Sequence, residues 1–125
     1  MRYLLDATFA IDFLRGLPEA QARLEDMLEA GDVPCINEVV ACEVATGVPE
    51  TDRGFIAFLR LVEFVQPGPN AAVTAGRWRG ELRRRGITLS VPDALIAAAA
   101  DTLEAPLLTR NVKDFDQLPI KVETY

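Results

Sequence analysis

The chain has 125 residues, of which 50% are hydrophobic and 26% are charged, and its formal net charge is −6 at pH 7. This length and composition predict one folded domain, 1–125, and are not typical of a disordered chain. The longest uncharged apolar stretch, 94–100, is far shorter than the roughly 20 residues of a membrane span, so we expect a cytoplasmic protein with no membrane partner.

Strand-like and helix-like segments alternate along the sequence. Predicted strands cover residues 2–5, 33–36, 63–66, 106–109 and 121–124. Predicted helices cover residues 9–15, 18–30, 38–47, 53–62, 70–85 and 92–104. Such alternation indicates parallel βαβ units with right-handed crossovers. We therefore predict an α/β fold with three layers, α/β/α, around a central parallel sheet of four or five short strands.

The amino acids that are missing limit the chemistry. The sequence contains no histidine and only two cysteines, Cys35 and Cys42. Catalysis by a serine–histidine triad, a cysteine–histidine pair or two histidines is therefore excluded, and a zinc site is not expected. We interpret both cysteines as small buried residues. Hydrolysis at neutral pH would have to depend on the 19 Asp and Glu residues, and we expect these to act by holding a metal ion.

Asp6 stands where the first predicted strand gives way to a helix. Ligands of parallel sheets bind beyond the carboxyl ends of the strands, which makes Asp6 a candidate site residue. The alternative is that its side chain caps the helix that begins near Ala7. The position of Asp6 alone does not decide between the two roles.

Glu43 lies within the apolar stripe of the predicted helix 38–47, whereas Glu38 points the other way. A carboxylate that faces the core is costly unless a cation or hydrogen-bond donors meet it. Glu43 is therefore a candidate metal ligand. The alternative is an ion pair with a buried arginine.

Two further acidic segments follow. Ser90 and Asp93 match the S-x-x-D capping pattern of a helix N-terminus, which gives Asp93 a structural role. This role is compatible with metal binding, because the N-terminus of a helix favours an ionised carboxylate. Asn111, Asp114 and Asp116 follow the predicted strand 106–109, in a loop where acidic side chains are usually just solvated.

Four segments together carry a family resemblance. They are YLLDATFAIDFLRG (3–16), INEVVACEVATG (36–47), RGELRRRGITLSVPDALIAAAA (79–100) and LLTRNVKDFDQLP (107–119). In this order they resemble the signature segments of the PIN-domain nucleases, and within that family the VapC-type toxins of bacterial toxin–antitoxin pairs. Two positions depart from the family pattern, because Phe9 is large and Asn111 stands where relatives often carry an acid.

The resemblance implies a PIN-like fold and a set of site residues. The implied catalytic and metal-binding acids are Asp6, Glu43, Asp93 and Asp114, with Thr8, Thr109 and Asn111 as polar supports. Asp12 and Asp116 fall outside this set, although Asp116 competes with Asp114 for the fourth place.

The resemblance also implies an activity. The expected protein is a Mg²⁺-dependent endoribonuclease, leaving 5′-phosphate and 3′-hydroxyl ends, that forms a homodimer and is inhibited by a cognate antitoxin. An all-oxygen ligand set suits Mg²⁺, with Mn²⁺ as a substitute. The alternative is a catalytically inactive PIN-like module that binds RNA or a protein. A phosphoacceptor receiver and a haloacid-dehalogenase-like phosphatase fit poorly, because the first strand ends in a single acid.

An RNA partner requires cations in a chain of net charge −6. Five of the 13 basic residues lie between 77 and 85 against one acid, Glu81. The predicted RNA contacts are Arg79, Arg83, Arg84, Arg110 and Lys113. The alternative for the helix 70–85 is a solvated face on which arginine stems cover apolar surface.

Overall fold

A parallel sheet of five strands forms the centre of the structure, a computed structural model that describes residues 1–125. The strands are β1 (Arg2–Leu5), β2 (Val33–Asn37), β3 (Glu63–Val65), β4 (Leu107–Leu108) and β5 (Val122–Glu123). Their order across the sheet is β3-β2-β1-β4-β5, and every neighbouring pair is parallel. The predicted parallel sheet of four or five strands is confirmed, with five strands.

Six α-helices connect the strands. They are α1 (Ala7–Leu14), α2 (Pro18–Glu29), α3 (Glu38–Gly47), α4 (Arg53–Leu61), α5 (Pro69–Arg84) and α6 (Val91–Leu103). All six were predicted, although α1 begins two residues earlier than expected. A short 3₁₀ turn, Val112–Asp114, was not predicted as a regular element. None of the helices combines the length and hydrophobicity needed to cross a bilayer.

The strand order reverses between β1 and β4. The chain builds outward from β1 through β2 to β3 and then returns across the sheet to β4 on the other side of β1. Right-handed crossovers in opposite directions place α5 and α6 on the face opposite α1–α4, which gives the predicted three layers. A reversal of this kind opens a crevice beyond the carboxyl ends of the two central strands.

The carboxyl-terminal half of β1 and the whole of β4 are buried on both faces, which explains the apolar residues there. Leu4 and Leu5 of β1 lie beside Leu107 and Leu108 of β4, and all four are fully buried. The next residue in each strand is polar: Asp6 follows β1, and Thr109 follows β4. The register of the core therefore places an acid and a hydroxyl side by side at the crevice.

The cysteine prediction is confirmed for Cys35 and wrong for Cys42. Cys35 is fully buried in β2, where burial raises the pKa of its thiol to about 11. Cys42 is exposed because it lies on the side of α3 opposite the buried residues Val40 and Val44.

Candidate metal centre

Asp6 is a buried carboxylate at the crevice, with only 4% of its surface exposed. It occupies the N-cap position of α1, yet its side chain makes no capping hydrogen bond. Instead, its Oδ2 accepts hydrogen bonds from Thr8 Oγ1 at 2.9 Å and from Thr109 Oγ1 at 2.6 Å. The capping alternative is therefore wrong for this side chain, which is held at the end of the sheet.

Backbone N–H groups fix the direction of both hydroxyls. Thr8 Oγ1 accepts from the N–H of Arg110 at 3.3 Å, and Thr109 Oγ1 accepts from the N–H of Asn111 at 3.0 Å. Each hydroxyl has one proton, so accepting from the backbone leaves that proton for Asp6. Asn111 thus supports the site through its backbone. We call the two hydrogen bonds from Thr8 and Thr109 to Asp6 the hydroxyl clamp. The clamp occupies Oδ2 of Asp6 and leaves Oδ1 available.

No basic side chain neutralises Asp6. The five ion pairs of the structure involve other acids, and none of them includes Asp6, Glu43, Asp93 or Asp114. The alternative that Glu43 pairs with a buried arginine is therefore wrong. A buried carboxylate that is hydrogen-bonded but lacks a counter-ion is suited to hold a cation.

The start of α3 is anchored next to α6. The buried Asn37 accepts a hydrogen bond from the N–H of Val40 at 3.1 Å and caps α3 as predicted. Its Nδ2 donates to the carbonyl of Leu95 in α6 at 3.4 Å. Asn37 thus joins the helix that carries Glu43 to the helix that carries Asp93.

The charges of the acidic side chains act on one another. Burial, followed by the negative charges of Asp6 and Asp93, raises the pKa of Glu43. Burial also raises the pKa of Asp93; hydrogen bonding to Ser90 opposes this rise, while the charges of Asp6 and Asp114 add to it. The four carboxylates therefore share one electrostatic environment, although they come from four separate segments.

The two rival acids lie outside this environment. Neither the charge of Asp116 nor that of Glu38 is among the causes that raise the pKa values of Glu43 and Asp93. Asp114, in the 3₁₀ turn, is the acid of its segment whose charge reaches Asp93. These observations favour Asp114 over Asp116 as the fourth acid.

We call the part of the crevice that carries Asp6, Glu43, Asp93 and Asp114 the acidic pocket. No three Asp, Glu or Cys side chains stand close enough together to hold a metal ion as a group. The chemistry of the donors still fits a hard divalent cation, because all four acids offer oxygen and one oxygen of Asp6 is free.

The basic residues predicted to contact RNA have different surroundings. Arg83 and Arg84 at the end of α5 are exposed, as is Lys113 in the 3₁₀ turn, and none of the three forms an ion pair. Arg79 is half-buried, and its Nε donates to the carbonyl of Leu89 at 2.9 Å, which fixes the connection that leads into α6. Arg110 is bound to Asp12.

Asp12 is the acid whose surroundings the sequence did not reveal. It is 5% exposed, both of its oxygens accept from Arg110 Nη1 at 2.8 and 2.9 Å, and Tyr125 donates its hydroxyl to Oδ2 at 2.6 Å. Burial and this hydrogen bond raise the pKa of Tyr125 above its ordinary value. The available signal was its position one helical turn after Thr8, on the same face of α1.

Comparison with known proteins gives consistent matches. The family model described as PIN domain matches residues 3–121. Ribonuclease VapC19 of Mycobacterium tuberculosis is 33% identical over 117 residues, which cover 93% of this chain and 94% of the relative.

Solved structures match over nearly the whole chain. The crystal structure of VapBC2 from Rickettsia felis bound to a DNA fragment from their promoter superposes with a TM-score of 0.88 and 23% identity, covering 100% of this chain and 99% of that one. A toxin–antitoxin complex from Klebsiella pneumoniae gives a TM-score of 0.76 and 27% identity, with 98% and 96% of the two chains covered.

We expect Glu43→Gln to stabilise the metal-free protein at neutral pH. The pKa of Glu43 is raised above its ordinary value of 4.5, so the folded state holds this proton more tightly than the unfolded state does. The free energy of unfolding therefore falls as the pH rises above 4.5 through the raised pKa. Glutamine removes this loss, and the gain should disappear at pH values below 4.5, where Glu43 is protonated in both states.

Urea denaturation in EDTA, across a pH series, measures the effect. The matched control is Glu38→Gln, which removes an exposed carboxylate from the same helix and should give no comparable pH-dependent gain. A free energy of unfolding for Glu43→Gln at or below that of the wild type at neutral pH would contradict the electrostatic account.

Proposed function

This chain belongs to the PIN-domain family, and on that premise we propose that it is a metal-dependent endoribonuclease that acts as the toxin of a toxin–antitoxin pair. One observation carries the proposal: the buried, clamped Asp6 has no basic partner and shares its electrostatic environment with Glu43, Asp93 and Asp114. Residues 1–125 would form one catalytic domain, and its relative VapC19 is named a ribonuclease.

The four acids, which follow β1 or lie in α3, at the start of α6 and in the 3₁₀ turn, would hold Mg²⁺, or Mn²⁺ in its place. Held there, the ion would supply Lewis-acid polarisation of a phosphodiester and a lowered pKa for a water molecule bound to it. Asp6 contributes a fixed ligand because the hydroxyl clamp prevents its side chain from rotating. Burial and neighbouring negative charges raise the pKa values of Glu43 and Asp93, so these two acids would gain most from the positive charge of a bound ion.

RNA would approach the pocket past the exposed cations near it. Arg83 and Arg84 end α5, and a short connection leads from there to the first turn of α6, where Asp93 lies. Lys113 lies next to Asp114, and Arg79 retains its terminal nitrogens for a phosphate. These positive charges oppose the net charge of −6 where the substrate would bind.

We expect purified protein to cut total RNA in Mg²⁺ and to lose this activity in EDTA. Asp6→Asn should reduce the rate by about 100-fold or more, because a loss of about 3 kcal/mol of transition-state stabilisation has that effect. The control is Asp101→Asn, an exposed acid about 12 Å along α6 from Asp93, which should cut at the wild-type rate. Ligation-dependent sequencing would detect the expected 5′-phosphate ends.

Cutting that persists in EDTA or in Asp6→Asn would rule out the metal-dependent mechanism. Binding of RNA without cutting, in Mg²⁺ and in Mn²⁺, would instead support the alternative of an inactive RNA-binding module.

We further propose that the protein acts in the cytoplasm as a homodimer and is inhibited by a small cognate antitoxin. The Klebsiella pneumoniae match is a toxin–antitoxin complex. The protein has apolar surface for such contacts, because Ile56 and Leu59 of α4 are 41% and 39% exposed. The helices at 20–30 and 53–62 are the candidates for the dimer face.

Co-expression with the product of the adjacent gene tests the antitoxin proposal. The two proteins should copurify, and the complex should cut RNA far more slowly than the free chain. An unrelated antitoxin added at the same concentration is the control. Equal cutting rates for the free chain and the mixture, or the absence of copurification, would contradict inhibition by that partner.

A further inference from the structure

Asp12 and Arg110 form an ion pair whose two members differ in exposure. The side chain of Asp12 is 7% exposed, whereas that of Arg110 is 58% exposed. Arg110 uses Nη1 for both oxygens of Asp12, and its Nε and Nη2 donate to no group of the protein. The guanidinium is thus fixed on its inner side and open to solvent on its outer side.

Tyr125 completes the anchor from the other side. Its hydroxyl donates to Asp12 Oδ2 at 2.6 Å, and its ring packs edge-on against Phe9 with centroids 4.9 Å apart. Phe9 is fully buried in α1, so the tyrosine is tied to the core. Both oxygens of Asp12 therefore have charged or hydroxyl donors, which restricts the carboxylate to one orientation.

The anchored arginine lies beside the acidic pocket. The backbone N–H of Arg110 donates to Thr8 Oγ1, and Thr8 Oγ1 donates to Asp6. Asp12 lies one helical turn beyond Thr8 on the same face of α1, about 6 Å along the helix. The backbone of Arg110 is thus tied through Thr8 to Asp6, and its guanidinium is bound one helical turn further along α1, at Asp12.

We propose that Asp12 is a positioning residue, which, with Tyr125, holds the Arg110 guanidinium beside the acidic pocket so that its free N–H groups bind a phosphate of the RNA strand. This inference rests on the proposed function, because it assigns a contact to the same substrate. A planar guanidinium that is already oriented loses less conformational entropy on binding phosphate than a mobile one.

The direction in which Asp12→Asn changes RNA affinity shows whether Asp12 orients Arg110 or only contributes a negative charge. Asp12→Asn removes a negative charge near the RNA, which by charge alone should strengthen RNA binding. If Asp12 orients Arg110, the same substitution should weaken binding, because the arginine is released. Glu81→Gln is the matched control, since it removes one exposed carboxylate among the arginines of α5 and should leave binding unchanged or stronger.

Two measurements test the proposal on the full chain. The first is the dissociation constant of a fluorescein-labelled single-stranded RNA of mixed sequence in EDTA, over a salt series. The second is kcat and KM for its cutting in Mg²⁺. Asp12→Asn should raise Kd and KM about three- to tenfold with kcat changed by less than about twofold, and Arg110→Gln should reduce the slope of log Kd against log salt by about 0.7.

The double variant shows whether Asp12 acts through Arg110. Asp12→Asn should weaken binding in the wild type and cause no further weakening in Arg110→Gln, because the arginine that it orients is gone. Equal weakening in both backgrounds, or tighter binding by Asp12→Asn to the extent seen for Glu81→Gln, would overturn the proposal. If Asp12→Asn does not fold, Tyr125→Phe replaces it, with weaker binding expected and unchanged binding overturning the inference.

The same data separate this inference from the proposed function. If the wild type neither binds nor cuts the RNA, the proposed function fails and the inference fails with it. If the wild type does both while Asp12→Asn behaves like Glu81→Gln, only the role of Asp12 fails.

Discussion

The hydroxyl clamp on Asp6 is the contact on which the site depends. It joins the ends of β1 and β4, which are neighbours in the sheet although Asp6 and Thr109 are 103 residues apart in sequence. Its 2.6 Å hydrogen bond is short and charge-assisted, and such bonds contribute about 1.5–3 kcal/mol each. The clamp holds a charged group in a buried position and leaves its Oδ1 without a hydrogen bond.

The negative charges of the other acids repel one another and Asp6 in the same crevice. Burial and mutual repulsion raise the pKa values of Glu43 and Asp93, so the metal-free site opposes folding at neutral pH. A divalent ion would relieve this repulsion, which couples cation binding to stability. The hydrogen bonds of Asn37 and of the hydroxyl clamp hold in place the segments that carry Asp6, Glu43 and Asp93.

The sequence predicted the sheet and the positions of the acids because these follow from local patterns. Asp6 ends an apolar run, Glu43 interrupts an apolar stripe, and Asp93 follows a capping serine. The role of Asp12 could not be predicted in this way, because its partners Arg110 and Tyr125 are 98 and 113 residues away. The burial of Cys42 was predicted wrongly from composition, although the spacing to Val40 places it on the outer side of α3.

The family resemblance ranked Asp114 ahead of Asp116, whereas local patterns did not separate the two. Both acids follow the same strand, and the structure adds that the charge of Asp114, at the end of the 3₁₀ turn, raises the pKa of Asp93. A loop of few residues carries no hydrophobic period from which a direction could be read.

Anomalous scattering from crystals soaked in Mn²⁺ tests the central claim most directly, since that claim is that the clamped Asp6 and its neighbouring acids hold a divalent ion. The account predicts an anomalous peak about 2.2 Å from Oδ1 of Asp6, with Glu43, Asp93 or Asp114 also in contact directly or through water. Ordered manganese bound only elsewhere on the protein, with none at Asp6, would contradict it.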